Sequence, residues 1–405
     1  MGQPHDKQIL IVGAGIAGPS LAYWLVRRGF EVTLAERSPV FRTGGYMIDF
    51  WGLGYDVAER MHLIAPMRAA GYEIEELRFV NAAGRRTSSI GGRAFRDALG
   101  DRFFSILRGD LARVIFDRVA SEVETIFGDG VVAVAHGASS ADVTFDSGRQ
   151  RSFHLVVGAD GLHSTVRGAI FGAEERFEQY LGYHCASFAV DSYPYRDEGV
   201  YVSYAEPGRQ VSRYALRGGG AAFLFVFAEP SKLSIDSHDV VAQKAFLRAR
   251  FGRDGWECSQ ILERLDCVDE LYFDGVKQIR MPQWRRGRVA LVGDAAYCPS
   301  LLAGEGSGLA MAGAYLLAAE LARVAGDYRQ ACAAYESRFR SFIRDKQKSA
   351  ARFAGQFAPG TRLGLRLRDC AIRLMSLPKL GPVLLRRVMR DDLDLPDYHA
   401  VNAPH

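Results

Sequence analysis

Apolar residues near the N-terminus follow first a strand pattern and then a helix pattern. Residues 9–12 form a β-branched run, ILIV, of the kind found in fully buried parallel strands. Leu21 and Leu25 then recur at helical spacing until Gly29, which favours a helix end. Residues 31–36, read as EVTLAE, predict a second strand. The pattern therefore predicts a β-α-β unit at the start of the chain.

The middle of the chain changes from helical to strand-like patterns. The spacing predicts one helix over residues 51–70 and another helix that is capped by Asp110. Short strand-like runs, broken by glycine and arginine, fill residues 72–107. Between residues 179 and 228, turns rich in Asp, Pro and Gly separate four β-rich segments: HCASFAV, GVYVSYA, QVSRYAL and AAFLFVF. These segments predict an antiparallel sheet that forms a separate layer.

A strand followed by helices returns near the C-terminus. Residues 288–293 predict a buried strand, and a Gly/Ala-rich helix follows from about Gly304 to Val324. A further helix is predicted over residues 328–348. Segments of one nucleotide-binding domain would then lie on both sides of the β-rich region. This order predicts an α/β protein with a β-sheet domain inserted into it.

The composition narrows the possible partners. The chain is 48% hydrophobic and 24% charged, which excludes intrinsic disorder. Its 51 basic and 47 acidic residues leave a net charge of +4, too small for a nucleic-acid-binding surface. The six cysteines include no C-x-x-C pair, so we expect free thiols in the cytoplasm and no structural metal. Glycines interrupt the uncharged stretch 8–26, so no integral membrane segment is predicted.

A glycine-rich loop stands at the turn between the first strand and the first helix. Gly13, Gly15 and Gly18 form G-x-G-x-x-G, in which glycines permit a tight turn, close approach of a pyrophosphate, and helix packing. Glu36 ends the next strand, where its carboxylate can accept hydrogen bonds from a ribose. The pattern predicts a dinucleotide site and leaves NAD and FAD open. The candidate contact residues are Gly13, Gly15, Ile16, Ala17, Gly18, Glu36 and Arg37.

Two later segments choose between these cofactors. Residues 156–167, VVGADGLHSTVR, and residues 287–296, GRVALVGDAA, each join a strand to a glycine turn and a helix. They resemble the DG and GD motifs of the class A flavoprotein monooxygenases, the para-hydroxybenzoate hydroxylase-like family. The resemblance covers residues 9 to about 325 and implies bound FAD.

The resemblance also implies a domain arrangement. The α/β fold would have a Rossmann-like FAD-binding domain and an inserted antiparallel β-sheet domain that binds substrate. The expected segments are 1–75, 100–178 and 275–350 for the FAD-binding domain, 76–99 and 179–274 for the substrate domain, and 351–405 for a C-terminal helical segment.

Further FAD contacts follow from the resemblance. It implies that Asp294 binds the ribitol chain, that Asp160 lies near the pyrophosphate, and that Arg108 pairs with cofactor oxygens. Backbone beside the isoalloxazine ring would come from Gly44 and Gly45. A loop resembling P-x-x-G-x-G starts at Pro299, and the helix after it would present N–H groups to the flavin pyrimidine. Its candidate residues are Gly304, Gly306, Ser307 and Gly308.

The chain departs from the family pattern at two positions. Tyr297 replaces a common histidine and Gly308 a common asparagine, so contacts made by those side chains in relatives cannot be transferred. We expect Tyr297→His to be tolerated. Residues 46–49, YMID, and 395–398, LPDY, resemble the branch that contains tetracycline-modifying monooxygenases.

The resemblance implies the reaction. There is one dinucleotide fingerprint and no C-x-x-x-x-C redox pair, so NAD(P)H is expected to act as a transient co-substrate. Reduced FAD would capture dioxygen as a C4a-hydroperoxide and hydroxylate an aromatic or polyketide-like small molecule. No residue is assigned as catalytic. The sheet residues considered for a pocket over the flavin are Phe223, Phe225, Phe227, Tyr201, Tyr204, Arg213 and Tyr214.

Several alternatives stay open from the sequence. One is an FAD-dependent reductase or epoxidase of a lipid, similar to the geranylgeranyl reductases, and another is a non-catalytic flavin-binding protein. NADH against NADPH, the substrate, and monomer against homodimer are undecided. The basic segment 361–390 could form an amphipathic helix at a membrane surface, but packing of this segment across the two domains is favoured.

Overall fold

The computed structural model describes residues 7–41, 45–137, 139–194, 197–391 and 393–397. The strands are β1 Gln8–Val12, β2 Glu31–Glu36, β3 Met47–Phe50, β4 Glu76–Val80, β5 Arg86–Gly91, β6 Phe104–Leu107, β7 Glu124–Phe127, β8 Val131–His136, β9 Ala141–Phe145, β10 Gln150–Phe153, β11 Leu155–Gly158, β12 Glu178–Val190, β13 Val200–Glu206, β14 Arg209–Ala215, β15 Ala221–Ala228, β16 Tyr272–Ile279, β17 Arg285–Arg286 and β18 Val289–Leu291. The helices are α1 Ala17–Val26, α2 Gly52–Arg60, α3 Ile64–Ala70, α4 Gly92–Leu99, α5 Arg108–Asp117, α6 Thr165–Phe171, α7 Val240–Phe251, α8 Cys258–Leu265, α9 Asp294–Tyr297, α10 Gly306–Arg323, α11 Tyr328–Phe357, α12 Arg362–Met375 and α13 Gly381–Val388.

The predicted β-α-β unit forms the centre of a six-stranded sheet. Its strand order is β17-β18-β11-β1-β2-β7, and every pair is parallel except β17 with β18. The three inner strands β1, β11 and β18 end together at the glycine turns of the three motifs. Because ligands of open parallel sheets bind beyond the carboxyl ends of the strands, this edge is where a dinucleotide is expected.

The β-rich region forms a second sheet of seven strands. Its order is β16-β12-β15-β14-β13-β4-β5, and it is antiparallel apart from the parallel pair β13 and β4. The two predicted sequence segments of this layer therefore meet in one sheet. Strand β16 runs across the predicted segment end at residue 274 and continues to Ile279.

Three sequence expectations about local structure are wrong. The region 51–70 holds two helices, α2 and α3, and His62 between them has a positive φ of 59°. Helix α5 already begins at Arg108, so Asp110 lies in its first turn and is not the N-cap. The region 72–107 contains helix α4 besides its strands: Gly92, Arg93 and Arg96, which suggest breaks between strands, lie inside this eight-residue amphipathic helix.

The six-stranded sheet and the seven-stranded sheet each pack against their own apolar core. Helix α1 contacts β1, β2 and α10, and Leu21, Leu25 and Leu317 are buried with the strand residues of the first sheet. Helices α7 and α8 cover one face of the second sheet, where Leu247 and Ile261 are buried. The other face of that sheet is turned toward the six-stranded sheet and its helices, here called the first unit, and carries the candidate site.

The C-terminal helices pack on the protein, which is the favoured alternative for the basic segment. Arg373 of α12 donates to the carbonyl of Thr87, and Arg386 of α13 donates to that of Ala98. The tail beyond α13 then reaches the first unit, where Arg60 donates to the carbonyls of Leu395 and Pro396. The C-terminal helices and the tail after them therefore contact both the seven-stranded sheet and the first unit. Within the described ranges no helix combines the length and apolar character needed to span a bilayer.

Candidate active site

The glycine loop after β1 has the geometry of a pyrophosphate-binding turn. Gly13 has a φ of +109°, and a Cβ there would lie 2.6 Å from the carbonyl oxygen of Ala159. A Cβ at Gly18 would collide with the carbonyl oxygen of Gly13, so this glycine lets α1 approach the strand. A Cβ at Gly15 would meet no atom within 4 Å, so the backbone is open on the side where a phosphate would approach. Ile16 and Ala17 form the N-terminus of α1.

The carboxylate of Glu36 lies against this loop. It accepts hydrogen bonds from the backbone N–H of Ala14 and of Ser38, both at 2.9 Å. The end of β2 is thereby fixed beside the turn, where an adenosine ribose would bind. The neighbouring Arg37 is exposed, and its stem lies near Gly130. Contacts of Glu36 and Arg37 with the cofactor stay predictions.

Asp160 organises the DG turn itself. Its carboxylate accepts hydrogen bonds from the hydroxyls of Ser164 (2.5 Å) and Thr165 (2.9 Å) and from the N–H of Val166 (3.1 Å). These bonds hold the N-terminus of α6 in place. The contact of Asp160 with the cofactor therefore stays a prediction.

Arg167, at the end of the DG motif, is fully buried. Its guanidinium donates to the carbonyls of Ala295 (3.1 Å) and Leu162 (2.6 Å) and to the carboxylate of Glu174 (2.8 Å). It therefore ties the DG helix to the GD helix, and the two motifs form one rigid wall of the site.

A buried carboxylate begins the GD helix, and the charge of a guanidinium from a distant segment acts on it. Asp294 begins α9, and a Cβ at Gly306 would lie 3.7 Å from its Oδ1. Burial raises the pKa of the Asp294 carboxyl, while the nearby charge of Arg108 opposes that increase. Arg108 in turn lies behind Gly45, where an added Cβ would be 3.2 Å from the Arg108 Cβ. The predicted residues Gly45, Arg108 and Asp294 therefore lie in one region of the fold although they are far apart in sequence. Gly44 lies outside the described residues.

The N-terminus of α10 completes this wall. Glu305 is the N-cap residue, and the first intrahelical bond runs from the N–H of Leu309 to its carbonyl. The N–H groups of Gly306, Ser307 and Gly308 therefore have no acceptor within the helix. Gly304 turns the chain into the helix with a φ of +69°. Such a helix end is suited to a carbonyl oxygen that gains negative charge.

Lys346 of α11 fixes this helix end. Its ammonium group lies 2.8 Å from the Glu305 carboxylate and 2.6 Å from that of Asp391 in the C-terminal tail. Asp391 also accepts a hydrogen bond from the N–H of Leu53 at the start of α2 (2.8 Å). Neither Lys346 nor Asp391 belongs to a sequence motif, because their proximity depends on the path of the tail.

These groups fit an FAD molecule stretched along the sheet edge. An open glycine turn at a helix N-terminus suits a pyrophosphate, a strand-end carboxylate suits a ribose, and the Asp294 and Arg108 pair suits a polyhydroxyl chain. The N–H groups of α10 suit a pyrimidine carbonyl. The residues present therefore fit the chemical groups of FAD.

Comparison with known proteins agrees with this geometry. The profile of an FAD binding domain family matches residues 109–346, and that of an NAD(P)-binding Rossmann-like domain family matches residues 11–70. A flavin-dependent monooxygenase of Legionella longbeachae serogroup 1 (strain NSW150) is 34% identical over 351 residues, covering 84% of this chain and 87% of its own. An uncharacterized protein of Mycobacterium tuberculosis (strain ATCC 25618 / H37Rv) is 37% identical over 349 residues, covering 84% of this chain and 92% of its own.

A solved structure matches nearly the whole fold. The crystal structure of tetracycline destructase Tet(51) has a TM-score of 0.82 and 30% identity, covering 97% of this chain and 100% of its own. This chain belongs to the class A flavin-dependent monooxygenases. The monooxygenase is an FAD-dependent oxidoreductase that uses NAD(P)H as its co-substrate. The predicted fold class and cofactors are confirmed.

Tyr297 of the monooxygenase points away from the flavin site. Its hydroxyl accepts a hydrogen bond from Tyr335 at 3.0 Å, and its ring centroid lies 4.7 Å from that of Trp284 and 5.4 Å from that of Phe339. A Cβ at Gly313 would collide with the Tyr297 hydroxyl. This side chain fills the core between α10 and α11, so we expect Tyr297→His to destabilise the protein, contrary to the tolerance expected from the sequence.

Gly308 has a packing role in the monooxygenase. A Cβ there would lie 3.1 Å from the nitrogen of Gly54, and one at Gly54 would lie 2.7 Å from the Gly308 Cα. The two glycines let helices α2 and α10 cross closely. The departure from asparagine at this position thus has a local reason, while the predicted contact of its N–H with flavin stays open.

Five of the seven sheet residues considered for the substrate pocket face the wrong layer. Phe223, Phe225, Phe227 and Tyr204 pack in the core beneath α7 and α8, and Arg213 pairs there with Glu257 at 2.8 Å. Strand residues alternate between faces, and the prediction mixed the two faces of β14. Tyr201 and Tyr214 do face the flavin-binding unit, as do Leu224 and Val226.

Proposed function

We propose that this monooxygenase hydroxylates a hydroxylated aromatic or polyketide-like molecule. The substrate would be held between the seven-stranded sheet and the flavin wall, which consists of the DG and GD motifs and the N-terminus of α10. The observation that carries the proposal is that the start of α10, beside Asp294, lies next to Trp51, which belongs to the same apolar cluster as Tyr201 and Tyr214 of the second sheet. A relative named as a tetracycline destructase supports a multi-ring substrate.

We assign the cofactor contacts residue by residue. Glu36 and the turn at Gly15 hold the adenosine diphosphate end, and Asp294 with Arg108 holds the ribityl chain. The N–H groups at Gly306 and Ser307 hold the pyrimidine edge. When bound, FAD supplies the chemistry of hydride acceptance from NAD(P)H and activation of dioxygen.

The protein residues position and shield this chemistry. Asp294 is buried and feels the positive charge of nearby Arg108, so hydrogen bonds from Asp294 to a ribityl chain would not be weakened by water. The fixed dipole of α10 favours negative charge at its N-terminus without reorganisation during the reaction. An apolar surface would exclude water from the reacting edge of the flavin. It is formed by Leu224, Val226 and Leu302.

The six cysteines are free thiols, which is the state kept in a reducing compartment. We propose a cytoplasmic location on this ground.

The direct test is oxygen incorporation. FAD-loaded protein is incubated with NADH or NADPH, isotopically labelled dioxygen and a panel of tetracyclines and hydroxyanthraquinones. We expect a product that carries one labelled oxygen atom for each nicotinamide oxidised. Nicotinamide oxidation that yields only hydrogen peroxide with every compound would contradict the proposed substrate class.

A further inference from the structure

An aromatic cluster with buried polar groups lies beside the flavin wall. Its side chains come from the first unit and from the flavin-facing side of the second sheet: Met47, Trp51, Tyr72, Phe103, Tyr201 and Tyr214. Trp51 also lines a cavity of about 20 Å³ together with Gly304 and Glu305. The aromatic cluster is therefore continuous with the loop that leads into α10.

Asp49 brings a carboxylate to this cluster. It lies on β3 opposite Ser105 of β6, whose hydroxyl donates a hydrogen bond to it. Burial raises the pKa of the Asp49 carboxyl, and the Ser105 hydrogen bond is the one interaction that opposes the increase. Asp49 lies on the same face of β3 as Met47, which belongs to the cluster with Tyr201 and Tyr214. Burial raises the pKa values of both tyrosines, and Asp49 adds to the increase.

The hydroxyl group of Tyr214 is the second polar group of the cluster. The side chain is 1% exposed, and its hydroxyl has no hydrogen-bond partner among the described residues. The ring is held by edge contact with Tyr72 at 5.4 Å and by Tyr201 at 4.9 Å. An unpaired buried hydroxyl costs about 1–3 kcal/mol, a cost that a ligand oxygen or hydroxyl at this position would remove.

The arginine nearest to the cluster is already bound to other groups of the protein. Arg217, whose charge reaches Tyr214, donates to the carbonyls of Ala70 and Gly71 and lies over the Tyr72 ring. Among the described ion pairs, none joins a cation to Asp49. A ligand carboxylate at Asp49 would therefore place two carboxyl groups side by side with no cation to balance them, whereas a hydroxyl or ammonium group would donate to Asp49.

We infer that Asp49 and the Tyr214 hydroxyl determine substrate specificity by binding hydroxyl groups of a neutral or cationic aromatic ring system. Asp49 accepts a hydrogen bond from the ligand, and Tyr214 exchanges one with a second ligand oxygen. Aromatic acids bind less tightly, because no cation in the described ion pairs balances a second carboxyl group beside Asp49. This inference rests on the proposed function and names the substrate class of the same site.

The test compares two dihydroxyanthraquinones that differ in charge. Chrysophanol carries a methyl group where rhein carries a carboxylate. Dissociation constants for FAD-loaded protein are measured from the change in flavin absorbance. We expect wild-type protein to bind chrysophanol at least about ten-fold more tightly than rhein. Asp49→Asn keeps the acceptor for Ser105 and should reduce this preference to less than about three-fold.

Tyr214→Phe tests the second contact. It should weaken chrysophanol binding about ten-fold, the equivalent of one lost hydrogen bond to a buried partner. Tyr204→Phe is the matched control, because Tyr204 is a buried tyrosine of the same sheet that faces α7 and α8. It should leave both dissociation constants within two-fold. Flavin content and melting temperature confirm that each variant is folded.

The inference is overturned if wild-type protein binds rhein as tightly as chrysophanol or binds neither. It is also overturned if Asp49→Asn and Tyr214→Phe bind both compounds like the wild type. Failure of the proposed function has a different signature, since the flavin would then not be bound or would not support labelled-oxygen transfer to any compound. The two results are read from separate experiments.

Discussion

At the residue scale, the proposed FAD contacts come from distant parts of the chain. Glu36 and Asp294 stand at the ends of different strands, and each presents a carboxylate to the same sheet edge. Both could be predicted from sequence because each follows a strand within a recognisable glycine motif. Lys346 and Asp391 could not, because nothing local marks residues that meet only after the tail has folded back.

Removing either carboxylate should release the flavin. Glu36→Ala and Asp294→Ala should each weaken FAD binding about ten- to a hundredfold, since a lost contact to a polar group costs about 1–3 kcal/mol. Flavin content after dialysis gives the measurement. Glu31→Ala, at the exposed opposite end of the same strand, is the control and should retain FAD. Full occupancy in both test variants would contradict the assigned contacts.

Tyr297 should prove structural. Tyr297→His removes the hydrogen bond from Tyr335 and the ring contacts with Trp284 and Phe339, so we expect a loss of about 2 kcal/mol in unfolding free energy. Tyr297→Phe keeps the ring and should lose about 1 kcal/mol. Chemical denaturation measures both. Wild-type stability of the histidine variant would restore the sequence-based expectation.

At the element scale, the sequence predicted the strands and the glycine turns well but misplaced helix ends. The Asp110 helix begins earlier, at Arg108, and α4 was missed because it is only eight residues long and contains a glycine and arginines that suggested breaks between strands. The antiparallel sheet was predicted from alternation, yet alternation alone does not say which face meets the flavin. That choice depends on where α7 and α8 pack, which is a tertiary property.

The crossing of α2 and α10 provides a test at this scale. Gly54→Val should destabilise the protein by about 2 kcal/mol or more, because an added Cβ would lie 2.7 Å from Gly308 and both positions are backbone. Gly168→Ala is the matched change inside α6, where a Cβ meets nothing within 4 Å. It should stabilise the protein by up to about 1 kcal/mol. Equal melting temperatures for the two variants would disprove the close-crossing interpretation.

At the scale of the whole molecule, a charge cluster joins the two sheets. His163, in the DG turn, contacts Asp274 of β16 at 2.7 Å and Glu174 at 3.1 Å, and Lys277 of β16 pairs with the same carboxylates. The hydrogen bonds to Asp274 and Glu174 raise the pKa of His163 from 6.5 to about 9. His163 thus links the DG motif to the sheet that covers the flavin.

This link predicts a pH dependence of stability. Because the folded-state pKa of His163 is raised, its charged ring stabilises the fold fully below pH 6.5 and loses that contribution as the pH rises through about 9. The pKa of Glu174 is lowered to about 2, so its carboxylate stays charged throughout this range.

The ring of His163 is about half exposed, so water weakens the effect to less than about 1 kcal/mol. Melting temperatures of wild type and His163→Ala should therefore converge between pH 6.5 and pH 9. A constant difference over that range would contradict the role of the charged ring.

The central claim is that one FAD molecule lies along the sheet edge, between the glycine turn, Asp294 and the start of α10. Its most direct test is titration of flavin-free, folded protein with FAD, followed by addition of NAD(P)H and dioxygen. The account predicts that one FAD binds per chain, that NAD(P)H bleaches it, and that oxygen restores the yellow colour. Folded protein that stays colourless in excess FAD would contradict it.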